Sequence, residues 1–171
     1  MAEQWLKDHP DDVSVASTYG EMLYQLTRYD EALAVFHDMI EHFPERRWGT
    51  YNQLGHLYRY RGDFEKAMRW YRKAIEEDST EATSFIFLGA IQARQGLLTD
   101  AEATHRTATQ CKNGCIDEAY HNLGLVLRGQ GRYDEAEECF GKAIEIDPEY
   151  EAAIEALDDI ITVRKLIGEN G

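Results

Sequence analysis

The chain has 171 residues, 43% of them hydrophobic and only three of them proline, which is enough apolar material for a continuous core in a single domain over 1–171. Its 32 acids against 18 Lys and Arg leave a formal charge of −14 and a sequence pI near 4.8, disfavouring a nucleic-acid partner, which normally demands an extended basic surface. No apolar run approaches the roughly 18 residues of a membrane span, and the opening MAEQWLKDHP lacks a leader's apolar stretch, so the expectation is a soluble cytoplasmic protein with no membrane partner.

In chain order, residues 2–9, with Trp5 and Leu6 before Pro10, read as the last turns of a helix from a preceding hairpin. A periodic body follows. Gly20, Gly55, Gly89 and Gly124 recur at steps of 35, 34 and 35 residues, and Ala32, Ala67, Ala101 and Ala136 repeat those steps. A period of this size marks a solenoid, in which each supersecondary unit buries its apolar face only by stacking on its neighbours. The units are taken as 13–47, 48–81, 82–116 and 117–150.

Each unit carries two stretches of helical spacing. In the second, Tyr51, Leu54 and Tyr58 share one face, and Phe64, Ala67, Tyr71 and Ala74 share another. Gly62, Gly96 and Gly131 break the pattern between the two stretches, with Thr27 at the equivalent place in the first unit, so every unit reads as a helical hairpin. Glycine inside a helix costs about 0.5–1 kcal/mol relative to alanine. The expected compensation is that each recurrent glycine faces the recurrent alanine of its own hairpin, letting the backbones approach. A closing helix is expected over 151–167, with Ile154, Leu157 and Ile161 turned to the fourth unit and Ile160, Val163 and Ile167 forming a second apolar row. That second row suggests a further contact, either another repeat or a second copy of the chain.

Tyr51-Leu54-Gly55-Tyr58-Ala67-Tyr71-Ala74 and Tyr120-Leu123-Gly124-Leu127-Ala136-Phe140-Ala143-Pro148 resemble the tetratricopeptide repeat (TPR) pattern. The first unit departs at Ala16, Tyr19 and Met39 but keeps Gly20, Ala32, Phe36 and Pro44, and the third departs at Gln92, His105 and Asn113. The resemblance covers about residues 13–150 and implies an all-α fold, an α-solenoid of four tandem helix-turn-helix repeats with a partial N-terminal helix and a C-terminal capping helix. It also implies a non-catalytic scaffold for protein–protein interaction, with the first helices lining a concave groove. Members of this family that clamp the acidic tail of chaperones use lysine and asparagine at defined places on those helices. Here the comparable places read Ser17 and Glu21, then His56, then Ile86 and Ala90, so that clamp is absent.

Once packing positions are set aside, the first helices offer Ser17, Glu21 and Tyr24, then Asn52, His56, Arg59 and Tyr60, then Ile86, Ala90 and Arg94, then His121, Leu125 and Arg128. The candidate peptide-binding groove is Tyr24, Asn52, His56, Arg59, Tyr60, Arg94, His121 and Arg128. Arg59, Arg94 and Arg128 are expected as a stripe, since the guanidinium fork suits carboxylates and tyrosine adds apolar area with a polar tip. The expected ligand is a peptide with acidic side chains or a free carboxylate, with Asn52 bonding its backbone and Tyr24 and Tyr60 packing its apolar groups.

Charge is uneven. Residues 46–73 carry eight bases against Asp63 and Glu65, a net of +6, while 133–171 carry twelve acids against three bases, a net of −9. This asymmetry keeps open a self-assembling structural module acting through the chain's ends, or, less favoured, single-stranded RNA binding on the basic band. In CKNGC, Cys111 and Cys115 leave open zinc, a local disulfide or free thiols, and Asn113-Gly114 is itself a turn signal. The histidines at 9, 37, 42, 56, 105 and 121 adjoin no nucleophile motif, and no phosphate loop follows a strand, so neither enzymatic activity, cofactor nor metal is expected.

Overall fold

The computed structural model of the chain describes residues 13–168, with side chains through Lys165; the reading of residues 2–9 and the side chain of Ile167 lie outside them. Nine α-helices are present among the described residues: α1 (Val13–Gln25), α2 (Tyr29–His42), α3 (Arg47–Tyr60), α4 (Phe64–Glu77), α5 (Ala82–Arg94), α6 (Leu98–Ala108), α7 (Ile116–Gly129), α8 (Tyr133–Ile146) and α9 (Glu151–Gly168). A 3₁₀ turn, Pro44–Arg46, leads into α3. The fold is all-α and of the α-solenoid class, built of the antiparallel hairpins α1–α2, α3–α4, α5–α6 and α7–α8. Contacts gather into two compact units, Met1–Asp78 and Ser79–Gly171. In the first unit α1 lies beside α3; in the second α5 lies beside α7, and α7 beside α9.

Each hairpin turns through one residue in the left-handed region: Thr27 at φ 62°, Gly62 at 83°, Gly96 at 78° and Gly131 at 76°. The amide after it reaches back to the last helical turn, Arg28 to Leu23, Asp63 to Tyr58, Leu97 to Gln92 and Arg132 to Leu127, at 2.9–3.0 Å. This pattern satisfies carbonyls that a helix end otherwise orphans. Thr27 adopts the same geometry with a β-branched side chain, at a cost of roughly 1–2 kcal/mol. Thr27→Gly is therefore expected to stabilise the first unit by about 1 kcal/mol after glycine's extra unfolded-state entropy is deducted, measurable by denaturant unfolding.

The recurrent glycines face rings, not the recurrent alanines. A Cβ on Gly20 would lie 2.5 Å from Phe36, on Gly89 2.6 Å from His105 and on Gly124 2.6 Å from Phe140, and on Gly55 it would overlap Tyr71. Ala32, Ala67, Ala101 and Ala136 are fully buried one turn earlier on the second helices. The glycine's helix cost is thus offset by seating a whole ring, worth about 1.5–3 kcal/mol of apolar burial.

α9 also corrects the expectation. Ala153, Ala156 and Ile160 are its buried row, and Ile160 packs with Leu123, Leu127 and Phe140, while Ile154 and Ile161 are 44% and 36% exposed and Leu157 is half-buried. Ile154, Leu157 and Ile161 follow Tyr120, Leu123 and Leu127 by 34 residues, so in a complete hairpin they would face their own second helix. No such helix stands against α9 among the described residues, and the face it buries is the one turned to the preceding hairpin. Asp158 occupies the place 34 residues after Gly124.

Candidate functional site

On the first unit α1 and α3 bring four of the candidates together. The Tyr24 and Tyr60 rings lie 5.1 Å apart, Tyr24 also meets Phe36 at 6.3 Å, and the Arg59 guanidinium sits 5.6 Å from the centre of the Tyr60 ring. His56 packs edge-on against Tyr71, whose hydroxyl is 3.0 Å from His56 Nδ1. Arg59 and Tyr60 are exposed, His56 is half-buried, and Tyr24 is buried. Tyr24 therefore forms the floor beneath Tyr60 rather than an open wall. Asn52 is buried as well, so the expected bond from Asn52 to a ligand backbone has no open approach.

Burial, and secondarily Arg59, pushes His56 down to about 4, so its imidazole is neutral near pH 7. Burial and then the nearby Glu21 hold the Tyr24 hydroxyl well above the ordinary phenol range, and burial does the same to Tyr71. Arg59 is a cation of this face, beside the neutral rings and hydroxyls, and the Glu21 carboxylate also stands at Tyr24.

The second unit holds Arg94, His121 and Arg128. His121 Nδ1 lies 3.2 Å from the Tyr150 hydroxyl, with its ring 5.1 Å from Tyr150 and 5.7 Å from Phe140. Burial, then Arg128, lower its basicity, partly opposed by a backbone hydrogen bond with Ala152. Arg128 Nη1 is 3.6 Å from Asp159 Oδ2 on α9, so this arginine already faces an acid of its own chain. Arg94 is exposed, whereas Ile86 is buried with Ala82, Ala108 and Ala119. The three arginines fall in two units, Arg59 in the first and Arg94 and Arg128 in the second.

Sequence reasoning missed Tyr71 and Tyr150, whose hydroxyls meet the two histidines. Tyr71 had a signal: it fills the ring position held by Phe36 and Phe140, and a buried phenol needs a partner that phenylalanine does not.

Half of the eight bases of the basic band, Arg59 included, lie over rings. Lys73 Nζ is 4.2 Å from Trp70 and 5.8 Å from Tyr51, Lys66 is 5.3 Å from Tyr58, and Arg61 is 5.9 Å from Tyr29. In the second unit Arg132 bridges Glu102 and Glu135 at 2.7 and 2.6 Å, and Arg164 joins Asp134 and Glu137. No disulfide joins Cys111, Cys115 or Cys139. Among the described residues no group of three or more His, Cys, Asp or Glu is arranged to hold a metal ion.

Three family models described as tetratricopeptide repeat match residues 11–76, 52–114 and 117–150. Human Tetratricopeptide repeat protein 7B is 32% identical over 117 residues, covering 68% of this chain and 14% of that protein. Heat shock protein STI1 of Saccharomyces cerevisiae is 30% identical over 112 residues, 64% of this chain and 19% of its own length. The chain thus spans under a fifth of either relative. Among solved structures, yeast Tom70 superposes with a TM-score of 0.85 at 21% identity, over 98% of this chain and 36% of that one. The first TPR of Spaghetti (RPAP3) bound to HSP90 peptide SRMEEVD superposes with a TM-score of 0.64 at 18% identity, over 70% of this chain and 94% of that one.

Proposed function

Because the chain belongs to the tetratricopeptide repeat family, whose fold serves as a scaffold for protein–protein contacts, we propose that it is a non-catalytic binding protein whose α1–α3 face takes an extended or helical peptide bearing an acidic side chain or a free carboxylate. The observation that carries this reading is Arg59, exposed beside the exposed Tyr60 and above the buried Tyr24. A planar cation next to a half-apolar ring suits a carboxylate flanked by an apolar residue. Neutral His56 adds a polar group without adding charge. On the second unit, taken by itself, Arg94 is an exposed cation of the same kind, while Arg128 is opposed by Asp159.

The RPAP3 neighbour is bound to an acidic peptide, which agrees with the ligand class. The clamp positions Ser17, Glu21, His56, Ile86 and Ala90 do not supply the lysines and asparagines of chaperone-tail receptors, so the proposal takes the class and not that peptide. The cytoplasmic setting expected from the sequence belongs to the same reading. No helix among the described residues is long and apolar enough to cross a membrane.

Arg59→Ala is expected to weaken binding of a fluorescent acidic peptide about tenfold or more at low salt, the loss of a charge-assisted pair. Circular dichroism stays unchanged. Anisotropy titrations check this, and equal affinities for variant and parent would sink the reading. A second reading, a self-assembling module, is favoured by the exposed Ile154 and Ile161 on α9. Light scattering across concentration separates the two.

A further inference from the structure

In the second unit the strand-like segment before α5 is fastened to the loop after α6. Lys112 N–H and Asn113 N–H both donate to the Thr80 carbonyl at 3.0 and 3.1 Å, and Ala82 N–H donates to the Asn113 carbonyl at 3.0 Å. Asn113 Nδ2 donates to Thr80 Oγ1 at 3.3 Å, and Glu81 and Asn113 form an isolated parallel bridge. Gly114 follows at φ 91°, where a Cβ would overlap the Glu81 carboxylate and lie 3.1 Å from Ala82 N. Glycine is therefore required after Asn113 on two counts, backbone conformation and space.

The same requirement creates a chemical liability. A following glycine leaves the backbone nitrogen least shielded from the preceding side-chain amide. Asn113 and Gly114 are both exposed, and the Gly114 N–H donates to no acceptor among the described residues. Asp117, Glu118 and Glu81 all act on the neighbouring Cys115 thiol, after burial, to push it up, so a carboxylate formed at 113 meets like charges.

We propose that Asn113 is a site of spontaneous, water-driven deamidation whose product releases the clip between residues 80–82 and 112–114. The Gly114 nitrogen gives its proton to hydroxide and attacks Asn113 Cγ. A new Cγ–N bond forms, the Cγ–Nδ2 bond breaks, and the departing nitrogen takes up a proton and leaves as ammonia. Water then opens the resulting cyclic imide at either carbonyl, yielding aspartate or isoaspartate; one water is consumed and one ammonia released. Both products lose the Nδ2 donor to Thr80 Oγ1 and add a carboxylate to a loop that already faces Glu81. In isoaspartate the main chain runs through the former Cγ, which inserts a methylene, and the carbonyl that accepts from Ala82 N–H becomes the free carboxylate, so the register of the clip is lost.

The test uses the full chain carrying Asn170→Gln, because Asn170-Gly171 is a second pair of the same kind. It is held at mildly alkaline pH beside a chain that also carries Asn113→Gln. Peptide mapping by mass spectrometry follows conversion, isoaspartyl methyltransferase labelling identifies isoaspartate, and hydrogen exchange reads the Ala82 amide. The expected result is isoaspartate at 113 and at least about tenfold faster exchange at Ala82, the equivalent of one lost hydrogen bond, with neither change in the doubly substituted chain. Two results overturn the proposal: Asn113 stays an amide while a synthetic peptide of residues 109–117 converts in the same buffer, or isoaspartate accumulates and Ala82 exchange does not change.

Discussion

Gly55→Leu is expected to unfold the first unit or to lower its stability by about 3 kcal/mol or more, the range of severe overpacking. Even a single Cβ at Gly55 would overlap the Tyr71 ring. Tyr71 is fully buried and its hydroxyl is tied to His56, so the ring has no room to retreat without dismantling the α3–α4 hairpin. Gly141, inside α8, makes the matching control. A Cβ there meets nothing within 4 Å, so Gly141→Ala is expected to stabilise the chain by about 0.5–1 kcal/mol through helix propensity alone. Thermal unfolding of the two variants should move in opposite directions. Equal shifts would mean that the ring contact does not set the cost.

The second large effect is acid destabilisation well above the carboxylate range. His105 is buried at the ring position of the third hairpin, its Nδ1 has no hydrogen-bond partner among the described residues, and burial pushes it down to about 4. His56 is likewise held down to about 4, by burial first and Arg59 second. A group whose basicity falls on folding takes up its proton in the unfolded chain first. Stability is therefore fully present above pH 6.5, falls as pH drops from 6.5 towards 4, and loses nothing further from these groups below that. Each histidine accounts for on the order of 3 kcal/mol at the low end.

His105→Phe restores the ring used at Phe36 and Phe140. It is expected to raise stability at neutral pH by about 1 kcal/mol, by removing an unsatisfied buried nitrogen, and to remove the His105 share of the acid loss while leaving that of His121. Urea midpoints measured from pH 7.5 to 4 check both signs; a flat profile in the parent chain would remove the argument.

The hairpins were legible because two markers, the Gly20 series and the Ala32 series, agree on one period, and because the turn residues punctuate it. Thr27 was placed by register alone, and its left-handed backbone bears that placement out. What one sequence does not carry is which neighbour covers a given face. Ile154, Leu157 and Ile161 have the spacing of a buried row, yet burial goes to Ile160, because the preceding hairpin lies on the other side of α9. The glycine partner was misread for a related reason: a glycine signals close approach, but not whether a methyl or a ring fills the space. On the candidate site, Arg59 and Tyr60 emerge exposed because they stand at the end of α3. Asn52 lies two turns earlier and Tyr24 beneath Tyr60, and both are covered. A helical wheel has no coordinate for that depth.

Asp158 sets a condition on any lengthening of this array. Where each earlier hairpin lodges an aromatic or imidazole ring on a bare backbone, α9 presents a carboxylate. A fifth hairpin grafted onto α9, whether by gene duplication or by a protein engineer, would press its ring onto a charged group instead of a vacancy. Asp158→Gly is thus the change that has to come first, before Ile154 and Ile161 can serve as the seat for a further helix.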